Sequence, residues 1–326
     1  MPSRPLVSFA VLNYNNGRFL RDCLDSILGQ NGGHHFEIIL VDDASTDSSE
    51  EIARSYTDPR IRFLRHARNQ GHIATVNDAL GQAAGDYIAR VDSDDRYRPD
   101  FLNEVLAAFH RRPEAGLVYG DAAVINDQGE INTARSDRVH GGRDFQGNEL
   151  VRLLEENFIC SPTVIARREA WQRTLPAPEG LAFHDWYFTV MMARQWPFYY
   201  LHKVLADYRV HDGNWHTAIV RNRQEEPSIF GFLDRIYAEA ETDPQLERAK
   251  QAARRRVYGR HYLTLADKYF GSYMNPDARR CYLQAIRNRP AYLLRSGIQR
   301  RLLATILGRN GYEAGKKALK TILARG

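Results

Sequence analysis

Short apolar segments alternate with amphipathic helical segments through the first 120 residues, and this alternation leaves few folds open to the chain. The predicted strands are residues 6–12, 36–41, 61–64, 87–91 and 117–119. Buried strands joined through single helices form parallel sheets that are covered on both faces. The sequence therefore predicts an α/β fold with a Rossmann-like, doubly wound and mostly parallel sheet.

The pattern changes after Gly120. A hairpin is predicted around residues 126–129, where Asn, Asp and Gly favour a turn between two short strands. From residue 225 onward only helical segments are predicted, with breaks near Pro244, Pro276 and Pro290. We therefore expect two domains, an α/β domain over residues 1–224 and a helical region over residues 225–326.

The two predicted domains differ strongly in charge. The formal net charge is +5, but residues 245–326 contain 19 Lys and Arg against 4 Asp and Glu, whereas the first 244 residues contain 26 against 36. A basic tail is complementary to an anionic membrane surface or to nucleic acid. The alternative is a helical subdomain that balances an acidic body. The charge pattern leaves these readings open.

The composition is that of a soluble globular protein, with 43% hydrophobic and 26% charged residues. No apolar run approaches the roughly 18 residues expected of a membrane span. The N-terminal residues show no signal-peptide core, so we expect a cytoplasmic protein. Cys23, Cys160 and Cys281 are widely spaced and indicate neither a zinc site nor a disulfide framework.

Three carboxylates follow the fourth predicted strand directly, at Asp92, Asp94 and Asp95. Like carboxylates repel one another unless a cation lies between them. An Asp-x-Asp spacing can offer oxygens to one hard divalent ion of the kind that holds substrate phosphates. The alternative is a solvated turn with a helix cap, because Asp and Ser favour turns. The position after a buried strand favours the metal site.

A second acidic pair, Asp42 and Asp43, ends the second predicted strand. A carboxylate there can accept the ring N–H of a pyrimidine base, or it can take part in a helix cap. Tyr14 follows the first strand and could stack on that base, although packing is the alternative. Two acidic strand ends predict a nucleotide site at the carboxyl edge of the sheet.

Three further segments are candidates for the same site. Arg68 could meet a diphosphate and Gly71 could let the backbone approach it, although an ordinary loop would look the same. Asp185 could be a general base or a helix-start carboxylate favoured by the helix dipole. His211 could complete a metal site or be a structural histidine.

Together these residues resemble glycosyltransferase family 2, the inverting enzymes of GT-A fold, from about Pro5 to Thr217. The motifs that carry the resemblance are residues 7–16, 39–47, 68–71, 85–95, 184–185 and 208–211. The resemblance implies metal-dependent transfer of a sugar from a UDP- or dTDP-sugar to a hydroxyl of a saccharide or a lipid-linked acceptor. It also implies a place in the assembly of a bacterial surface polysaccharide or glycolipid.

The resemblance implies a role for each matching residue. Tyr14 and Asp43 would contact the base of the donor. Asp92 would lie near the ribose and the metal, while Asp94 would hold Mn²⁺ or Mg²⁺ with His211 completing the coordination. Asp185 would be the catalytic base. The other implied nucleotide-sugar contacts are Leu12, Asn15, Arg68, Asn69, Gly71 and Ser93.

The chain departs from the family pattern at two points. His184 stands where the family has a Glu before its catalytic Asp, which leaves open what positions the base. The segment from Leu12 to Asn15 lacks the Pro-Thr pair common there, which leaves uracil and thymine both open.

Other functions fit the residues less well. A metal-dependent nucleotidyltransferase would carry a glycine-rich basic loop after the first strand, which residues 15–18 match poorly. A nucleotide-sugar-binding module without turnover is disfavoured because Asp94 and Asp185 are both present. Nucleic-acid binding rests on the tail alone and is not expected. The tail leaves open a peripheral position on the inner face of the plasma membrane.

Overall fold

The computed structural model describes residues 5–136, 139–181, 183–211 and 223–308. The end of the predicted basic region, residues 309–326, therefore lies outside the described part of the chain. The described residues form two compact units. The first comprises residues within 5–153 and 157–211, and the second comprises residues 154–156 and 223–308.

The first unit is built on a ten-stranded sheet. Its strands are β1 (Val7–Asn13), β2 (Phe36–Asp42), β3 (Ile61–Arg65), β4 (Tyr87–Asp92), β5 (Arg96–Tyr97), β6 (Leu117–Ile125), β7 (Ile131–Thr133), β8 (Phe145–Gly147), β9 (Ile165–Arg167) and β10 (Phe198–Arg209). The order across the sheet is β3-β2-β1-β4-β9-β6-β10-β5, with β7 paired to β6 and β8 paired to β10.

The long ladders of this sheet are parallel. They join β1 to β2, β1 to β4, β2 to β3 and β6 to β10. The antiparallel ladders contain only two or three residue pairs each. The predicted mostly parallel sheet is therefore confirmed, and so is the predicted hairpin, since β6 and β7 pair antiparallel around it.

Helices cover both faces of the sheet. They are α1 (Gly17–Leu28), α2 (Ser49–Ser55), α3 (His72–Gln82), α4 (Phe101–Arg111), α5 (Leu150–Glu155), α6 (Arg168–Gln172) and α7 (His184–Ala193), with a 3₁₀ helix at Ser161–Thr163. On one face, Leu24 of α1 and Phe101 of α4 join Phe9 in a buried apolar cluster. Helix α3 packs on β1 and β2 with Val76 and Leu80, which lie outside that cluster. This layering is the predicted doubly wound arrangement.

Strands β6 and β10 are longer than the sequence predicts. The sequence predicts two short strands in each of these segments, at residues 117–119 and 122–125 and at residues 198–201 and 205–209. The structure has one continuous strand in each segment. A Cβ atom at Gly120 would lie 2.7 Å from Cδ1 of Leu205 and 2.8 Å from the carbonyl oxygen of Lys203. Gly120 therefore leaves room for β10 where its register shifts, between Leu201 and Ala206.

The second unit is helical, as the sequence predicts for this region. Its helices are α8 (Glu225–Ala238), α9 (Pro244–Gly271), α10 (Asn275–Asn288) and α11 (Ser296–Leu307), with a 3₁₀ helix at Pro290–Leu294. The predicted proline breaks therefore coincide with helix starts. Asp243 caps α9 by accepting a hydrogen bond from the backbone N–H of Gln245 (2.8 Å). Within the described ranges, no helix is long and apolar enough to span a membrane.

A buried lysine lies at the centre of this unit. Lys250 is fully buried, and its Nζ is 2.7 Å from Oε1 of Glu241 and 2.9 Å from Oε2 of Glu247. It also donates to the backbone carbonyl of Ile236 (3.1 Å). These contacts join the end of α8 to the first turns of α9.

Candidate functional site

Three neighbouring parallel strands end together at one edge of the sheet. Asn13, Asp42 and Asp92 are the last residues of β1, β2 and β4. The amide of Asn13 donates to Oδ1 of Asp42 (2.6 Å), and its Oδ1 accepts from the hydroxyl of Ser93 (2.7 Å). Leu12 is buried, and its carbonyl accepts the N–H of Ser93 (3.0 Å). Asp42, Ser93 and Leu12 therefore fix the strand ends.

The predicted nucleotide contacts beside this edge differ in exposure. Tyr14 is 48% exposed, so its ring is accessible for stacking. Asn15 holds the next loop, since its Oδ1 accepts from the N–H of Thr46 (2.8 Å). Arg68 and Asn69 are exposed in the loop between β3 and α3. Among the contacts of the described residues, neither side chain is bonded to Asp92, Asp94 or Asp95.

Asp43 is buried and holds that loop in place. Its carboxylate accepts the backbone N–H groups of Gln70 (2.7 Å) and Gly71 (2.8 Å) and lies 2.7 Å from Nδ1 of His66. Burial acts to raise the pKa of Asp43, but the hydrogen bonds from Gln70, His66 and Gly71 outweigh it and lower that pKa. Gly71 has a φ of +88°, which favours glycine. Asp43 thus positions the loop that carries Arg68 and Asn69.

Asp92 is bound by an arginine from its own strand. Nη2 of Arg90 lies 2.7 Å from Oδ1 and 2.9 Å from Oδ2 of Asp92. Arg90 is 2% exposed, whereas the side chain of Asp92 is 34% exposed. Nη1 of Arg90 donates to the hydroxyl of Ser161 (2.6 Å). A buried guanidinium therefore sets the direction of a carboxylate that still reaches solvent.

Two histidines complete the surroundings of Arg90. Nη2 of Arg90 lies 2.9 Å from Nε2 of His72 and 3.1 Å from Nε2 of His184. The two imidazole rings are 4.0 Å apart. Burial lowers the pKa of His72, and burial with the neighbouring His72 and Arg90 lowers that of His184 well below its usual value. A neutral imidazole can accept a hydrogen bond from the guanidinium. His184 therefore helps to hold Arg90 in place rather than contacting the side chain of Asp185.

Asp92, Asp94 and Asp95 form the acidic cluster, in which Asp94 is paired with His211. Nε2 of His211 lies 3.1 Å from Oδ2 of Asp94, and Nδ1 lies 3.2 Å from Nη2 of Arg18. The pKa of Asp94 is raised by burial and by the charge of Asp92. Asp95 is buried, and burial together with Asp94 raises its pKa well above the usual value. Burial and the neighbouring carboxylates therefore disfavour the charged forms of Asp94 and Asp95.

Strand β10 brings His211 to this cluster. The backbone N–H of Arg209 donates to Oδ1 of Asp95 (2.8 Å), and Nε of Arg209 donates to the carbonyl of Asp94 (2.8 Å). Nη2 of Arg209 also lies 2.5 Å from Oδ2 of Asp22 in α1. Residues that are more than a hundred positions apart in the sequence are therefore held at one point.

The donor atoms around Asp94 fit a divalent cation. The carboxylate oxygen and imidazole nitrogen are ligands that Mn²⁺ accepts. Their 3.1 Å separation is close to the roughly 3 Å between adjacent ligands of an octahedral ion with bonds of about 2.1 Å. Asp92 points to Arg90 instead, and the described residues contain no group of three or more His, Cys, Asp or Glu that could hold a metal by themselves. A nucleotide diphosphate would have to supply further oxygens.

Asp185 lies in the first turn of α7, at the wall of a pocket. Its Oδ2 accepts from the amide of Asn157 (3.1 Å), and its Oδ1 accepts from the N–H of Trp186 (2.8 Å). Arg90 and Ser161 line the same pocket. Asn157 and the backbone therefore orient the predicted base. The sequence had left open which group does so, because His184 replaces the family's Glu.

The structure brings four predicted site residues into one region. Arg90 binds Asp92 and lines the pocket of Asp185, and the chain that follows β10 carries His211 to Asp94. Sequence reasoning missed Arg90, His72, Ser161 and Asn157. The signal for Arg90 was available, since it is a charged residue inside an otherwise apolar strand. The other three carry no comparable signal.

Comparisons with solved structures identify the fold. The crystal structure of S. aureus TarS 1-349 in complex with UDP-GlcNAc matches with a TM-score of 0.67 and 18% identity, covering 96% of this chain and 92% of that chain. Mannosyltransferase PcManGT from Pyrobaculum calidifontis, in complex with GDP-Man and Mn²⁺, matches with a TM-score of 0.60 and 18% identity, covering 94% and 87%. The predicted GT-A fold with a C-terminal helical region is confirmed.

Curated relatives show the same likeness in sequence. An uncharacterized protein of Mycobacterium tuberculosis, Rv1520, is 29% identical over 223 residues; the match covers 67% of this chain and only 63% of that relative's length. The putative teichuronic acid biosynthesis glycosyltransferase TuaG of Bacillus subtilis is 26% identical over 260 residues, covering 78% of this chain and 98% of TuaG. The model of glycosyl transferase family 2 matches residues 8–175, about half of the chain, and the chain belongs to that family.

Proposed function

We propose that this chain is a metal-dependent, inverting glycosyltransferase that moves a hexosyl or N-acetylhexosaminyl group from a UDP- or dTDP-sugar to a hydroxyl acceptor. The observation that carries the proposal is the pocket that Asp185 shares with Arg90. Asp185 and Arg90 both line this pocket, and the guanidinium of Arg90 also binds Asp92. The proposed base would therefore be linked through Arg90 to the residues proposed to bind the donor. Inverting transfer needs these two parts and no protein nucleophile.

Asp185 would act as the general base. Asn157 and the N–H of Trp186 hold its carboxylate, and the remaining lone pairs can take the proton of an acceptor hydroxyl. The deprotonating oxygen forms a bond to the anomeric carbon while the bond from that carbon to the diphosphate oxygen breaks. Attack from the face opposite the leaving group inverts the configuration, and the nucleoside diphosphate carries away the electron pair.

Asp94 and His211 would hold Mn²⁺ or Mg²⁺, with Asp92 beside them. The ion would supply positive charge to the departing diphosphate. Burial and the charge of Asp92 raise the pKa of Asp94, and a bound cation would favour its ionised form. The Mn²⁺ in the PcManGT structure accords with such a site.

The nucleotide would lie along the edge of β1, β2 and β4. Tyr14 offers an exposed ring for the base. Asp43 already accepts three hydrogen bonds, but a carboxylate has about four acceptor positions, so one remains for a base N–H. Arg68 and Asn69 would approach the donor from the loop that Asp43 holds. Leu12, Asn15, Gly71 and Ser93 would shape this edge through the backbone.

The names of relatives and neighbours support a role in polysaccharide assembly. TuaG is named for teichuronic acid biosynthesis, ExoO of Rhizobium meliloti for succinoglycan biosynthesis, and TarS is described with UDP-GlcNAc. We therefore assign this chain to bacterial surface polysaccharide or glycolipid assembly, with a saccharide or lipid-linked acceptor. The protein would be cytoplasmic, at the inner face of the plasma membrane. Residues 1–224 would form the glycosyltransferase domain, and residues 225–326 would form a basic helical region.

A panel of nucleotide sugars tests this function. UDP- and dTDP-linked hexoses and N-acetylhexosamines are scored by thermal stabilisation with and without Mn²⁺, beside a GDP-sugar for comparison. We expect at least one UDP- or dTDP-sugar to raise Tm only with the metal and to yield the nucleoside diphosphate. Conversion of a nucleotide sugar and added pyrophosphate to a nucleoside triphosphate and a sugar 1-phosphate would instead indicate a nucleotidyltransferase. A panel without any metal-dependent stabilisation would contradict the proposal.

A further inference from the structure

The second unit exposes an unusual set of apolar side chains near its described end. Six of them are between 46% and 83% exposed: Leu283, Leu293, Leu294, Leu303, Ile306 and Leu307. Together with the exposed Arg287, Arg289, Arg295 and Arg300 they are called here the Leu–Arg face. Single exposed leucines are ordinary, but a set of six on neighbouring elements marks an interaction site.

Hydrogen bonds link the elements that carry the Leu–Arg face. Leu303, Ile306 and Leu307 recur at i, i+3 and i+4 on α11 and so share one side of that helix. The amide of Gln299, one turn earlier, donates to the carbonyl of Leu293 (2.7 Å) and so links α11 to the second 3₁₀ helix. Leu283 stands one turn after Arg279, whose guanidinium bonds Thr305 on α11.

The charges on this face are all of one sign. Residues 279–308 contain seven arginines and no Asp, Glu or Lys. Arg280 and Arg301 are paired with Glu226 and Asp267, at 2.6 Å each. The four arginines of the Leu–Arg face have no carboxylate within ion-pair distance among the described residues.

We infer that the Leu–Arg face docks on an anionic lipid bilayer. Leucine and isoleucine side chains enter the acyl boundary, and arginines bind lipid phosphates at the headgroup level. A second copy of the chain is a poor occupant, because a two-fold contact would set arginines against arginines. Nucleic acid is a poor occupant too, since base stacking needs aromatic rings and Tyr292, beside the face, is buried.

The inference rests on the proposed function for its biological role, because docking on a membrane would bring the enzyme to a lipid-linked acceptor. The binding itself does not depend on turnover. Donor binding and membrane binding can therefore be measured separately on the same full-length protein.

Sedimentation with sucrose-loaded vesicles tests the inference. Full-length protein is mixed with vesicles of phosphatidylcholine alone, or with about a third of phosphatidylglycerol, at low and at high salt. We expect binding to the anionic vesicles at low salt, little binding to the neutral ones, and weakening with salt. Protein that stays in the supernatant with anionic vesicles at low salt would overturn the inference.

Matched variants separate this face from net charge and general hydrophobicity. The triple change Arg287→Gln, Arg295→Gln and Arg300→Gln should lower partitioning by at least about tenfold, and so should Leu294→Ser with Ile306→Ser. As charge control, Arg54, Arg173 and Arg235 are changed to Gln, because each is exposed and paired at i,i+4. As apolar control, Ile131, 55% exposed on β7, is changed to Ser.

An equal loss of binding in the controls would show that the face is not the site and would overturn the inference. So would a dimer, in the absence of vesicles, that the leucine variants abolish. Stabilisation by a donor sugar is recorded for every sample. Donor binding without vesicle binding defeats only this inference, whereas vesicle binding without any donor stabilisation defeats only the proposed function.

Discussion

One nitrogen of Arg90 lies within 2.9 Å of both carboxylate oxygens of Asp92. The same nitrogen faces His72 and His184, so three neighbours share its two hydrogens. Arg90 is buried, and it cannot leave this position without leaving polar groups unpaired. The direction of Asp92 therefore depends on acceptors contributed by α3 and α7.

His184 should be replaceable only by a residue that can accept a hydrogen bond from Arg90. His184→Gln keeps an oxygen for Arg90, whereas His184→Ala removes it and frees Arg90 to shift Asp92. We expect kcat/KM to fall at least about tenfold more for Ala than for Gln, in line with a lost hydrogen bond of roughly 1.5–3 kcal/mol to a charged group. Steady-state kinetics check this, and equal losses in the two variants would show that His184 acts by packing alone.

Asp185→Asn should remove transfer and keep donor binding. The amide retains the shape and an oxygen for Asn157 but cannot accept the acceptor's proton, so we expect kcat to fall about 10²–10⁴-fold. Thermal stabilisation by the donor should be unchanged. Glu169→Gln is the control, because that side chain is 63% exposed and lies outside the pocket. A variant that keeps near-normal kcat would remove Asp185 from the role of base.

Asp94→Asn and His211→Ala should weaken Mn²⁺ binding. Each change removes one donor of the pair that lies 3.1 Å apart, so we expect roughly a tenfold or larger loss of affinity. The free Mn²⁺ signal in electron paramagnetic resonance measures this without turnover. Asp58→Asn serves as the control, since that carboxylate pairs with Arg60 and, within the described part of the chain, neither of these two residues contacts Asp94 or His211. Chelation by EDTA should abolish transfer, and added Mn²⁺ should restore it.

Lys250→Met should destabilise the helical unit. It leaves Glu241, whose side chain is 2% exposed, without its cation, and breaking a buried pair typically costs about 3–5 kcal/mol. Chemical denaturation measures the loss. Adding Glu241→Leu to Lys250→Met should restore much of the stability, because no buried charge remains. If the double variant is no more stable than the single one, the charge is not the cause.

Acid should destabilise the same unit through His261. Its Nε2 bonds the carbonyl of Leu154 (2.7 Å), and burial lowers its pKa from the usual 6.5 to about 4. Between pH 6.5 and 4 the unfolded chain binds the proton and the folded chain does not, so stability falls as pH falls. The loss reaches at most about 3 kcal/mol. Denaturation at pH 7, 5 and 4 should show a smaller slope for His261→Gln.

The parallel core could be predicted because β1, β2 and β4 are mostly apolar, and because β2 and β4 end in Asp42 and Asp92. Candidate site residues could be predicted only where the residue type itself indicates a chemical role, as at Asp94 and Asp185, whose roles stay predictions. The partners of Arg90 could not, since they lie 18, 71 and 94 positions away and are ordinary residues in isolation. The length of β6 was missed because Gly120 favours a strand end locally, while its close approach to β10 is a tertiary effect.

The shifted register of β10 also controls where its last residues arrive. A strand advances about 3.3 Å per residue and alternates its faces. Deleting one residue between Leu201 and Ala206 would pull Arg209 and His211 back by that length and turn them to the opposite side of the sheet. The irregular middle of β10 thus sets the position of His211, the proposed metal ligand. A homologous chain with a different length there would need another residue beside Asp94.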